Sequence, residues 1–115
     1  MPNHNVKISV ERKGLKYDRL CVEVEKGDTI TWKVVVKSKK EKEKEAMPFA
    51  IIVKSFISPL VWGAAVSERG KKTLVGTVRD DAEPGFYHYG TCLWDGKDLL
   101  VDDPEIIVRP PKGRS

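Results

Sequence analysis

Two imidazoles, His4 and His88, and two thiols, Cys21 and Cys92, are the nucleophilic and soft metal-binding groups of this 115-residue chain. Cys92 follows His88 by four residues, which raises the prospect of a thiol activated by a neighbouring base or of an atypical metal site. On a strand running out into a loop that spacing does not ensure contact, and no third group is evident to orient the imidazole. Hard-cation chemistry would fall to Asp95, Asp98, Asp102 and Asp103, because calcium takes several carboxylate and carbonyl oxygens. These aspartates lack the alternating spacing and the glycine of a calcium loop. They read as a solvent-exposed loop, with Asp102-Asp103-Pro104 as a turn into a final strand. The chain has no glycine-rich phosphate loop, no His-Glu metalloprotease pair and no serine in a nucleophile-elbow context. Neither catalysis nor a bound cofactor is expected.

The elements that carry these groups are strands. Val6, Ile8 and Val10 alternate with Lys7 and Ser9, and Val22 and Val24 alternate with Glu23 and Glu25, as a sheet with one dry and one wet face requires. Gly14, Gly27, Gly70 and Pro84-Gly85 punctuate such runs. Strands are expected near residues 5–11, 19–25, 29–37, 49–54, 72–79, 85–91 and 105–109. Seven to eight short strands with scarcely any helical period predict an all-β fold, a Greek-key β-sandwich. The alternation through Leu20, Val22 and Val24 turns the Cys21 thiol to the opposite face. Nothing in the spacing pairs Cys21 with Cys92, so both are expected reduced. Tyr87 lies just after the Pro84-Gly85 corner, where a tyrosine hydroxyl can bond back to upstream backbone. Tyr89 and Thr91 share its inward face, which leaves His88 an ordinary outward histidine.

The run Pro84-Gly85-Phe86-Tyr87-His88-Tyr89-Gly90-Thr91-Cys92-Leu93-Trp94 resembles the last core strand and ligand loop of a cupredoxin, Pro-Gly-x-Tyr-x-Tyr-x-Cys-x-x-His. Three further segments resemble that family in order and spacing: Leu20 to Trp32 with its Gly27-Asp28-Thr29 turn, Met47-Pro48-Phe49-Ala50-Ile51-Ile52-Val53, and the closing Glu105 to Arg109. The resemblance covers about Val6 to Arg109. It implies that Phe49 stands in place of the first histidine ligand and Ala50 in place of its asparagine neighbour. It likewise implies that Thr91 replaces the cysteine ligand and Trp94 the second histidine. A blue-copper site needs two imidazoles and a thiolate, so the resemblance implies a cupredoxin-like sandwich without its copper.

In that family the histidine positions converge at one end of the sandwich, which implies that Phe49 and Trp94 meet there. Two readings follow: a repacked apolar end, or an aromatic patch for a protein or small ligand, extended by Trp62 and Met47. Met47, Phe49, Trp62 and Trp94 are therefore the candidate binding surface. The function expected is a non-catalytic binding or structural module. The alternative is an atypical metal-binding or electron-transfer protein using Cys92 and His88.

Composition sets wider bounds. A chain that is 40% hydrophobic and 33% charged can bury a core unaided. It reads as a single domain over residues 1–110 with a flexible tail at 111–115. No apolar run approaches the roughly 20 residues of a membrane span, and the N-terminal residues lack a signal-peptide layout. No membrane is expected, and a cytoplasmic location is, unless a leader has been removed. Residues 1–79 hold 17 Lys and Arg against 9 acids, whereas residues 80–105 hold 1 against 8, so different faces can differ in charge. The densest basic stretch, Lys37 to Glu45, interleaves Glu41, Glu43 and Glu45. It reads as a solvated hairpin tip or loop, and nucleic acid is not expected as a partner.

Overall fold

The computed structural model describes residues 2–11, 14–36, 49–55, 57–67, 72–94, 99–102 and 104–110, with backbone alone for residues 11, 14, 36, 93, 94 and 99–102. Among them every regular element is a strand: β1 (Asn3–Glu11), β2 (Gly14–Tyr17), β3 (Cys21–Val24), β4 (Thr29–Val36), β5 (Phe49–Val53), β6 (Ala64–Val66), β7 (Thr73–Thr77), β8 (Gly85–Trp94), β9 (Leu99–Asp102) and β10 (Glu105–Val108). No helix among the described residues is long and apolar enough to cross a membrane. Met47, Asp95, Asp98, Asp103, the Lys37 to Glu45 stretch and the tail at 111–115 lie outside the described residues.

The strands form two sheets. Sheet A runs β2-β1-β4-β7; sheet B runs β3-β10-β8-β5-β6, with β9 also on β8. Their apolar faces meet in one core. Val6, Ile8, Val10, Ile30, Trp32 and Val34 come from sheet A, and Val22, Val24, Phe49, Ile51, Tyr89, Ile106 and Val108 from sheet B. The alternation expected for residues 5–11 and 19–25 is what places these residues, since a strand buries every second side chain. Leu20 departs from the expectation: it is 62% exposed. The strand begins one residue later, and only the Leu20 backbone, whose carbonyl accepts from Glu105 N at 2.8 Å, is tied to the sheet.

Two pairings are parallel. β1 lies parallel to β4, with Val6 opposite Trp32, and β3 lies parallel to β10, with Val22 opposite Ile106. The turn before β4 is built on Gly27, at φ 83°, a left-handed conformation that costs glycine least. Asp28 follows it and is buried. Its Oδ2 accepts from Glu25 N at 2.9 Å and lies 2.8 Å from His4 Nε2, so the start of β1 is fastened to the turn.

The largest departure from the expected elements concerns residues 92–94 and 99–102. In place of a loop after Thr91, β8 continues to Trp94 and pairs with β9, Thr91 opposite Asp102 and Trp94 opposite Leu99. β10 continues along the same side of β8 in the same register, Glu105 opposite His88 and Val108 opposite Gly85. Tyr89 N donates to Pro104 O at 3.0 Å between the two. β9 and β10 thus lie along one side of β8, and Asp102 belongs to a strand. Tyr87 closes the Pro84 corner as expected, its hydroxyl donating to the backbone carbonyl of Glu83.

Candidate functional site

β5 and β8 are antiparallel neighbours, with Phe49 opposite Leu93 and Ile51 opposite Thr91. Inward alternation on both strands brings Phe49 and Thr91 to one region of the core, on diagonal positions of the same face. Phe49 is 1% exposed and Thr91 0%. The Phe49 backbone is held on both sides by Ser67: Phe49 N donates to Ser67 Oγ at 2.8 Å, and Ser67 N to Phe49 O at 2.8 Å. Thr91 Oγ1 is buried without a hydrogen-bond partner among the described residues. These two positions hold a phenyl ring and an isolated hydroxyl within apolar packing. Phe49 is therefore core rather than contact surface. Trp94 ends β8, its backbone opposite Leu99.

Trp62 lies elsewhere. Val53 N donates to Gly63 O at 2.8 Å, which sets the Trp62 segment four residues along β5 from Phe49, about 13 Å at the usual rise per residue. The Trp62 ring is half-buried against Trp32, centroids 5.9 Å apart and planes at 51°, and its Nε1 donates to Val75 O at 3.3 Å. Gly76 beneath leaves room for it: a Cβ there would sit 3.0 Å from the Trp62 ring and 3.1 Å from the Trp32 ring. Trp32 in turn donates to the Tyr89 hydroxyl at 3.1 Å. The aromatic surface expected from Phe49, Trp62 and Trp94 is thus divided, because Phe49 fills the interior of sheet B while Trp62 caps the open side of the sandwich beside β7.

His88 and Cys92 both point outward from β8, at the same about 13 Å separation given by four residues of strand, so one ion cannot take both as ligands. Cys21 is an exposed free thiol and Cys92 a half-buried one. No group of three His, Cys, Asp or Glu side chains suited to a metal converges among the described residues. Of the aspartates considered for a hard cation, Asp102 ends β9, and Asp95, Asp98 and Asp103 lie outside the described residues.

Sequence reasoning missed two features. One is the opposite end of the sandwich, where Ser55, Ile57, Ser58, Arg79, Asp81 and Tyr87 line a groove of about 480 Å³. Arg79 and Asp81 pair within it, and Glu83 also lines it. Arg79 donates to Asp81 through Nε at 2.9 Å and through Nη2 at 2.7 Å, and this hydrogen bonding holds the Asp81 carboxyl below the usual carboxylate range. Burial, with the Glu83 charge adding to it, raises the Tyr87 phenol above the usual tyrosine value. The other is the outer face of sheet B, where Phe86 is 72% exposed and Val66 66%. The signal was present: Phe86 alternates with inward Tyr87 and Tyr89, so an aromatic had to face outward.

No family model matches the chain, and no curated protein matches it significantly. Among solved structures, the N-terminal domain of phage TP901-1 ORF48 is similar over 96% of this chain and 100% of that one, at 15% identity and a TM-score of 0.44. A heme-copper terminal oxidase dimer solved by cryo-EM is similar over 94% of this chain and 65% of that one, at 10% identity and a TM-score of 0.46. The chain spans just under two thirds of that neighbour's length. Both are distant structural neighbours.

Proposed function

We propose that this chain is a non-catalytic β-sandwich of cupredoxin type, serving as a binding or structural module without a type 1 copper centre. The observation that carries the reading is the pair Phe49 and Thr91, at 1% and 0% exposure, packed into the core at two positions where the resemblance calls for imidazole and thiolate. A trigonal copper site depends on those soft and borderline donors, and neither a phenyl ring nor an aliphatic hydroxyl replaces them. The tyrosine corner at Tyr87 and the outward course of His88 and Cys92 are consistent with a scaffold kept for its shape.

Elemental analysis of the freshly purified protein, followed by titration with cupric and cuprous ions, tests the reading. The expected result is no stoichiometric metal, no intense thiolate-to-copper absorption and a melting temperature unmoved by chelator. A stoichiometric copper whose visible band disappears in Cys92→Ser would overturn it and turn attention to metal handling at that thiol.

A further inference from the structure

Asp81 and Tyr87, the two side chains among the described residues whose titration departs from the ordinary range, line the same groove of about 480 Å³. Shifted groups gather at built sites but also at structural ion pairs, so geometry has to separate the two. For Asp81 the cause is pairing. Arg79 donates to both of its oxygens and reaches Ser58 O through Nη1 at 3.4 Å, so these two charges cancel and are held in place on one wall. Glu83 has no such counter-charge. It makes no ion pair among the described residues, and its charge adds to the burial that raises the Tyr87 phenol. Beneath it the lining is apolar, from Ile57, Pro59, Ala82 and the Tyr87 ring. Ile57 is 64% exposed, so that wall is open to a ligand.

We infer that this groove binds an organic cation, an ammonium carried on an apolar body, with Glu83 as its counter-charge and Ile57, Pro59 and the Tyr87 ring as its apolar bed. Charge selects the sign. Arg79 stands against Asp81 and Glu83 in the lining, which leaves one negative charge in excess on a chain that is +4 overall. Outside the lining Lys26 also acts on Asp81, and Asp80, next in the chain, offsets it. An anion would meet Glu83 with like charge, and a neutral ligand would cover that carboxylate without compensating it. The lining selects the rest of the molecule. Methyl and methylene groups bury against Ile57 and Pro59, and a tyrosine ring attracts a cation through its quadrupole, more strongly once water is displaced. The volume falls within the range of about 300–1,000 Å³ usual for small-molecule sites. Such an ammonium belongs either to a free small molecule or to a lysine side chain offered by another protein, and both are recognised by the same groups. The inference rests on the reading of the chain as a binding module and not on the loss of copper, since the groove lies at the other end of β8 from Phe49 and Thr91.

Titration of the full chain with butyltrimethylammonium, followed by amide NMR, is expected to move the Ala82, Glu83 and Tyr87 resonances saturably, while butanol and butyrate leave them in place. Glu83→Gln keeps the backbone carbonyl that the Tyr87 hydroxyl binds, so this variant is expected to melt as the parent does. Its affinity for the cation is expected to fall at least about tenfold, the loss of one charge-assisted contact. Glu23→Gln, on edge strand β3, is expected to bind as the parent does. The phenol gives a second readout. A cation beside Glu83 offsets the charge that helps to raise it, so saturation is expected to lower the Tyr87 titration midpoint in the parent and leave it unmoved in Glu83→Gln. Nα-acetyl-lysinamide separates the sources: tighter binding than the quaternary ion supports a partner's lysine in the groove, and weaker binding supports a free small molecule. No saturable shift, an equal response to butanol or butyrate, or unchanged affinity in Glu83→Gln overturns the inference, whatever the copper titration shows.

Discussion

Thr91 Oγ1 sits in the core of sheet B with no partner among the described residues, and a buried unsatisfied hydroxyl costs about 1–3 kcal/mol. Valine has nearly the same shape and no such group. Thr91→Val is therefore expected to raise unfolding free energy by about 1 kcal/mol in urea denaturation, and a loss of stability would mean that the hydroxyl is satisfied after all. Tyr87 makes the opposite case, since its hydroxyl donates to Glu83 O. Tyr87→Phe is expected to cost about 1 kcal/mol, an ordinary net hydrogen bond. Because burial raises the phenol above its ordinary value of 10.0, the unfolded state loses the proton first. The contribution of Tyr87 is then complete below about pH 10 and falls as pH rises through the folded value. Parent and Tyr87→Phe melting curves should converge in that alkaline range and stay apart at neutral pH. Strand parity read from the sequence was enough to place Tyr87, Tyr89 and Thr91 inward and His88 outward. It was not enough to show that Tyr89 accepts from Trp32, a bond across 57 residues of sequence that depends on how the two sheets stack.

Element by element, legibility followed alternation. Strands near residues 5–11, 29–37, 49–54 and 105–109 were expected within a residue or two because β-branched side chains recur at period two. Three strands escaped. β2 is four residues long and opens on Gly14; β6 is Ala64-Ala65-Val66, weak in strand propensity and lying at an edge; β9 sets Leu99, Leu100 and Val101 in succession, with no alternation to reveal it. The resemblance itself hid β9, since a ligand loop was expected where β8 continues and pairs with β9. The Trp62 segment had no strand pattern, so nothing in the sequence distinguished a binding aromatic from a packing one. Its place over Gly76 now makes the distinction testable. Trp62→Ala is expected to lose about 2 kcal/mol, less than a fully buried tryptophan. Gly76→Ala is expected to lose about 1–3 kcal/mol by crowding the two indoles. Combined, the losses should fall short of their sum, because removing Trp62 makes room for the new methyl. Strict additivity in thermal or urea melts would contradict the packing described.

For the whole molecule, the decisive feature is that its sheets are completed by segments far apart in the chain. β10 lies between β3 and β8, paired to both, and delivers Ile106 and Val108 to the core at 0% and 2% exposure. Burying two such side chains contributes about 3–6 kcal/mol, comparable with the entire stability of many small domains. Its loss would also leave β3 without the neighbour described for it, and would uncover backbone groups of β8 that need partners. A chain ending at Asp102 is thus expected to show no cooperative melting transition and collapsed amide dispersion by NMR, and a truncated chain that still melts cooperatively would mean that sheet A and the β5–β8 pair suffice alone. The same topology slows folding: closing β3 onto β10 and β1 onto β4 costs chain entropy before the contacts repay it. Stopped-flow refolding of the full chain is accordingly expected in the millisecond-to-second range, whereas a microsecond relaxation would imply that local hairpins, not these parallel pairs, set the barrier.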